Sequence, residues 1–281
     1  MTNNDYLTIF LAAKNIEGCS PKTIKYYKEI VEKLLNKIEK NVTEITTEDL
    51  RLYLAQYKLE RNCSGTTMDT LRRVFSSFFD WLEDEDYILK SPVRRIHRIK
   101  VEQVVKETIS DEQLEQLKEQ CPTIRERAII EMLVSTGMRV GELVNLDIED
   151  IDFEERSCIV LGKGNKQREV YFDAKAKLHL QEYLKTRKDD NNALFVAKIK
   201  PYQRLSISQI EYLVREIGKK AKINKIHPHK FRRTCATVAI DKGMPIEQVK
   251  QLLGHTKIDT TMHYAMVKQE NVKYSHRKYI G

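Results

Sequence analysis

Four short segments of the chain carry residue types that suit the handling of a phosphate. In TGMRVGEL, residues 136–143, Arg139 follows a glycine, and Glu142 lies three residues on, on the same helical face, where it could hold the guanidinium in place. In LGKGNKQREV, residues 161–170, Lys163 sits between two glycines at a hairpin tip, which puts an ammonium on a flexible finger. In HPHKFRRTCAT, residues 227–237, His229 and Arg232 share one face near a helix start. Free N–H groups and the helix dipole favour anions there, so the pair suits a phosphate. In LLGHTKIDTTMHYA, residues 252–265, His255 follows the helix-ending Gly254 and Tyr264 comes nine residues after His255. Each segment alone also has a structural reading: a surface ion pair, a solvated lysine, a capping or core histidine, a packing tyrosine.

Elements must position these groups, and the sequence pattern is mostly helical. Over the first hundred residues, Ser20-Pro21 reads as an N-cap and first-turn proline. Behind it Ile24, Tyr27, Ile30, Val31, Leu34, Leu35 and Ile38 recur at helical spacing. A second helix follows Thr47, and a third begins near Thr66 and carries Phe75, Phe78, Phe79 and Trp81, a stripe better explained as core than as a nucleic-acid surface. The acidic stretch Glu83–Asp86 closes this bundle, and Ser91-Pro92 with the basic run Lys90, Arg94, Arg95, Arg98 and Lys100 reads as an exposed connector. Such a connector could cross a DNA backbone or be a plain solvated linker.

Beyond Thr108, Ser110 caps a helix, 123–136 is an apolar-periodic helix, and RVGELVNL is a short one. SCIVLGKGNKQREVYF has β-branched runs flanking a Gly-Lys-Gly-Asn turn and reads as a hairpin. Helical patterns then fall at about 174–187, 206–221, 228–242 and 245–253. The expected fold class is mainly α with a small β-sheet (α+β). Its expected layout is a helical domain over 1–90, a basic linker over 91–107, and a second domain over 108–281 with a tail from about 266.

Bulk properties narrow the partners. The net charge is +8 and the pI about 9.0, which favours an anionic partner, with nucleic acid the first candidate. The excess sits late in the chain, at +1 over 1–107 and +7 over 108–281. Five scattered cysteines with no CxxC pair fit a reducing cytosol, so a cytoplasmic location is expected. No apolar run approaches the roughly 20 residues that span a membrane, and the N-terminus is too polar for a signal peptide. His227, His229, Cys235, His255 and His263 have spacings that fit no common zinc pattern, so no metal is expected.

In this order and spacing, the motifs TGMRVGEL, GKGNKQREV, HPHKFR, LGH and the following Tyr264 resemble the catalytic domain of the tyrosine recombinase (phage integrase) family, most closely its compact Xer-like members. The resemblance spans roughly residues 108–270. The helical region before it is similar to that family's core-binding, SAM-like domain in length and character. The resemblance implies an active-site set of Arg139, Lys163, His229, Arg232 and His255, with Tyr264 as nucleophile. Arg139 and Arg232 would clamp the phosphate, His255 would donate a further hydrogen bond, His229 would accept the phenol proton, and Lys163 would protonate the leaving 5′ oxygen. No cofactor is implied. The implied partners are double-stranded DNA, a homo-tetramer on two duplexes, and a second recombinase or accessory protein. One departure is visible: Arg233 follows Arg232 where Xer-like members commonly carry histidine. A type IB topoisomerase uses similar chemistry as a monomer, and a non-catalytic DNA-binding regulator is a third reading. The complete set of six residues argues against the last.

Overall fold

A computed structural model describes residues 1–99, 107–162, 167–255, 258–262, 277 and 280. The chain divides into two compact units, Met1–Val104 and Val105–Gly281. The architecture is mostly helical with one small sheet, as the sequence pattern indicates.

The described residues of the first unit hold four α-helices: α1 (Asn3–Ile16), α2 (Pro21–Ile38), α3 (Thr47–Arg61) and α4 (Gly65–Asp84). Ser20, Thr46 and Ser64 each cap a helix by accepting a backbone N–H, which satisfies donors the helix itself leaves unpaired. The aromatic stripe of α4 is core: Phe75, Phe78 and Phe79 are fully buried, and Phe10 meets Phe78 edge-on at 5.1 Å. The periodicity reading passed over α1, because only Tyr6, Leu7 and Phe10 are buried in an otherwise polar run. Its signal was the reciprocal cap of Thr2 and Asp5.

The segment read as an exposed connector is partly anchored. Val93 is buried within a short 3₁₀ turn over Pro92–Arg95. The Ser91 N–H donates to Glu83, the Thr47 hydroxyl donates to the Pro92 carbonyl, and Arg51 donates to the Arg95 carbonyl. The charged side chains of Arg94, Arg95 and Arg98 remain exposed. Buried Val93 is an apolar residue inside a charged run, and the charges masked its role from a reading by composition. Residues 100–106, with Lys100, lie outside the described set.

The second unit begins with α5 (Asp111–Glu119), α6 (Ile124–Thr136) and α7 (Val140–Asn145). Then come β1 (Ile151–Asp152), β2 (Ser157–Leu161) and β3 (Gln167–Tyr171), an antiparallel sheet in that order, with Cys158 opposite Val170 and Val160 opposite Arg168. The expected hairpin is β2–β3; the two-residue β1 is too short to leave a pattern. Helices α8 (Ala174–Thr186), α9 (Ile207–Lys220), α10 (Pro228–Asp241), α11 (Ile246–Leu253) and α12 (Ile258–Met262) follow. At its centre lies α6, with Ile129, Ile130 and Leu133 fully buried, packed on α8 and α10. Among the described residues no helix is long and apolar enough to cross a membrane.

Helix α6 ends at Gly137, which adopts the left-handed conformation at φ +60°. A Cβ there would lie 3.1 Å from both Cys235 Sγ and Leu253 Cδ2, so the ends of α6 and α11 meet α10 at this glycine. Gly137→Ala is therefore expected to lower unfolding stability by at least about 1–2 kcal/mol, the usual cost of a left-handed L-residue. The check is a fall in the urea midpoint at unchanged m-value.

Candidate active site

The site is built around the last turn of α11. Gly254, at φ +62°, lets the chain turn back, and the His255 N–H returns to the Lys250 carbonyl at 3.0 Å. That closure fixes where His255 leaves the helix. Among the described residues it also leaves the carbonyls of Leu252, Leu253 and Gly254 without helical partners. Three arginines from three different segments take them. Arg168 Nε donates to the Leu252 carbonyl at 3.1 Å, Arg232 donates to the Leu253 carbonyl, and Arg139 donates to the Gly254 carbonyl at 3.3 Å. Arg232 also donates to the Gly137 carbonyl at 2.8 Å, tying the end of α6 to the end of α11. The negative end of a helix dipole suits these cations.

Local sequence explains each arrival. Arg139 is the residue before α7, held by Glu142 three residues on: its backbone N–H and its guanidinium both donate to the carboxylate, at 2.7 and 2.8 Å. Arg168 lies two residues before buried Val170 on β3, so the strand alternation turns it to the inner face. Arg232 lies one turn into α10, whose start is set by extended His227 and by Pro228 in the first turn. It is 1% exposed, beside the fully buried Phe231.

Glu142 binds two of the three arginines. Arg168 grips it with both terminal nitrogens at 2.7 Å, a paired geometry that a lysine cannot supply. The Glu142 side chain is 3% exposed. Burial pushes its carboxyl up, but the bonds from Arg168 and Arg139 outweigh burial and hold it below the ordinary glutamate range.

His255 takes the opposite direction. Burial lowers its pKa, and the charges of Arg232 and Arg139, with His229 and Arg168, lower it further, to about 4. The ring is therefore neutral at neutral pH. Its Nδ1 lies 2.9 Å from the hydroxyl of Thr261 on α12. His229, in the first turn of α10, is exposed and lines a cleft of about 680 Å³ together with Arg139, Gly162, Arg215 and His227.

Of the residues singled out from sequence, Arg139, His229, Arg232 and His255 gather in this one region. Lys163 and Tyr264 lie outside the described residues. Glu142 holds Arg139, as the spacing of the two residues leads one to expect. Arg168 was read only as part of a motif; an arginine spaced two residues from a buried valine on a strand was the available signal. Thr261 left none, since one threonine among several in a polar run is unremarkable.

The phage integrase family model matches residues 107–271, and the model of a phage integrase N-terminal SAM-like domain matches residues 7–89. The chain is 29% identical over 293 residues to tyrosine recombinase XerC of Oceanobacillus iheyensis, covering 97% of this chain and 95% of that one. It is 30% identical over 275 residues to tyrosine recombinase XerA of Pyrococcus horikoshii, covering 97% and 93%. Among solved structures, a XerA recombinase matches at 30% identity with a TM-score of 0.57, covering 99% of both chains. The integrase of transposon Tn1549 in complex with a circular intermediate DNA shares the fold, at 18% identity with a TM-score of 0.79 and 99% of both chains covered.

Two tests follow from the electrostatics. Glu142→Gln leaves Arg168 half-paired in a buried setting and is expected to cost about 3 kcal/mol or more. Because the folded-state pKa of Glu142 is depressed, its contribution is present above its unfolded value of about 4.3 and is lost as pH falls through the folded value. Stability measured against pH should accordingly fall less on the acid side in the variant than in the parent. For His255, the folded value of about 4 lies below the unfolded 6.5, so the neutral ring contributes stability above pH 6.5 that declines as pH drops toward 4. Histidine NMR signals should show His255 unprotonated down to pH about 5.5; protonation near 6.5 would overturn this account of the field around it.

Proposed function

The chain belongs to the phage integrase family and is a tyrosine-type site-specific recombinase, and on that premise we propose that it exchanges DNA strands through a 3′-phosphotyrosine formed at Tyr264. The observation that carries this reading is the cluster of Arg139, Arg168, Arg232, His229 and His255 near one helix end, with more positive than negative charge, of which Arg139 and His229 line a cleft. A phosphodiester brings one negative charge, and attack on phosphorus builds more on its non-bridging oxygens. A guanidinium has five N–H donors, so Arg139 and Arg232 can bind phosphate oxygens as well as their carbonyls. They are the clamp in which that charge develops.

The step balances without a cofactor. The phenolic oxygen of Tyr264 attacks phosphorus as its proton, with an ordinary pKa of about 10, passes to His229. The bond from phosphorus to the 5′ oxygen breaks, and Lys163 protonates that oxygen. The products are a 3′-phosphotyrosine and a free 5′-hydroxyl. A 5′-hydroxyl of another strand reverses the attack, so the energy of the ester is retained and strands are exchanged with no net hydrolysis.

Both units would contact the duplex, the first as the core-binding domain and the second through its basic charge. Exchange between two duplexes needs four nucleophiles, which we assign to four protomers, with the tail after about residue 266 bridging neighbours and a second recombinase or accessory protein completing some assemblies.

The test uses a duplex selected by binding to this protein from a random-sequence library, then nicked so that cleavage traps the covalent adduct. The parent should form the adduct, and Tyr264→Phe should bind the same duplex and form none. An undiminished adduct with Tyr264→Phe would move the nucleophile to another residue. Binding should also weaken steeply with rising salt, as phosphate contacts release counterions.

A further inference from the structure

We propose that Thr261 is the positioning residue for His255: its hydroxyl donates to Nδ1, sets the tautomer of the ring, and so leaves the Nε2–H to a phosphate oxygen. The inference rests on the reading of His255 as a phosphate donor.

Three observations carry it. The first is the contact, 2.9 Å between His255 Nδ1 and Thr261 Oγ1, from a threonine that is fully buried on α12. The second is the charge state. Burial and the surrounding cations hold His255 neutral, so the ring carries one N–H and not two. Only one of its nitrogens can then donate, and which one depends on the partner of the other. The third is the chemistry of that partner. A carbonyl or carboxylate at Nδ1 would take the single proton there and leave Nε2 as a lone pair, which repels a phosphate oxygen. A hydroxyl is a donor as well as an acceptor. It can give its proton to Nδ1, which keeps the ring's own proton on Nε2, where a substrate oxygen can accept it.

The arrangement also explains why a histidine amid cations is useful. The backbone of His255 is fixed by its N–H bond to the Lys250 carbonyl, but the ring can still turn about its side-chain bonds. The Thr261 contact ties the ring to α12 and so orients it. Tyr264 follows Thr261 by three residues in the sequence, so the residue that orients the donor sits in the segment that carries the nucleophile. Loss of the hydroxyl should therefore affect the reacting groups without removing any of them.

Histidine-selective ¹⁵N NMR of the Tyr264→Phe protein, bound to the selected duplex, reads the tautomer directly. Protonated Nε2 and unprotonated Nδ1 are expected at His255; a protonated Nδ1 overturns the proposal and needs no further variant to do so. Single-turnover cleavage of the nicked duplex supplies the second readout. Thr261→Val keeps the shape and removes the hydroxyl, and it should slow cleavage about 5- to 10-fold, the scale of one hydrogen bond, with mixed tautomers at His255. Thr261→Ser keeps the hydroxyl and loses a methyl, and it should restore both the rate and the tautomer, which a purely packing role for Thr261 would not do. Parent-like rate and tautomer in Thr261→Val overturn the proposal while leaving the role of His255 intact. Parent-like cleavage in His255→Ala instead removes the premise, and the proposal falls with it.

Discussion

Three consecutive carbonyls at the end of α11 determine the geometry of the whole site. A helix end leaves such carbonyls unpaired, and here each is taken by an arginine from a different part of the second unit: Arg168 from β3, Arg232 from α10, Arg139 from the start of α7. The guanidiniums would repel one another at close range, and this is the interaction that holds them near. One carboxylate, Glu142, offsets part of the charge by pairing with both Arg139 and Arg168. Three cations against one anion leave a surplus, and screening is weak at Arg168 and Arg232, which are largely removed from water. The fold therefore stabilises a local excess of positive charge through backbone oxygens, which carry partial charge only and cannot neutralise it.

Backbone packing makes that arrangement rigid. Gly137 ends α6 where Cys235 of α10 and Leu253 of α11 crowd it, and its carbonyl accepts from Arg232. Gly254 ends α11 with Arg168 packed so closely that an added Cβ would lie 2.9 Å from Arg168 Cδ. Two glycines in the left-handed conformation thus allow close approach: Gly254 to the Arg168 side chain, and Gly137 to Cys235 and Leu253. Groups held in this way need little rearrangement when charge develops on a bound phosphate, which is the condition for strong electrostatic stabilisation.

Most of this was legible in the sequence, unevenly and for physical reasons. The long amphipathic helices α2 and α4 repeat apolar residues every three or four positions, so period alone located them. Helix α1 did not, because three buried residues in fourteen are too few for a period to stand out. Arg139 and Glu142 were legible as a pair because their interaction is local, at three residues' separation. The bond from Arg168 to Glu142 spans 26 residues and the bond from Arg232 to Gly137 spans 95, and no pattern within one segment reports such contacts. The pattern of motifs located the residues, but the partners of each were set by tertiary packing. The burial of Val93 within a basic run shows the converse error, in which composition described the surface of a segment and missed its anchor.

The division of labour between arginine and histidine follows from the surplus charge. Arginine stays charged under any condition the protein meets, so Arg139, Arg168 and Arg232 form a lasting positive cluster that favours an anion. A protonated histidine in the same cluster would add a further permanent charge and bind substrate and transition state alike, which does not speed the chemical step. Burial, with the surrounding cations, instead keeps His255 neutral. A neutral donor contributes least while the phosphate oxygen carries little charge and more as that charge grows, so its hydrogen bond favours the transition state selectively. The packing of arginines at the end of α11 thus has two consequences: a lasting positive charge that favours an anion, and, together with burial, an adjacent histidine held in its uncharged form.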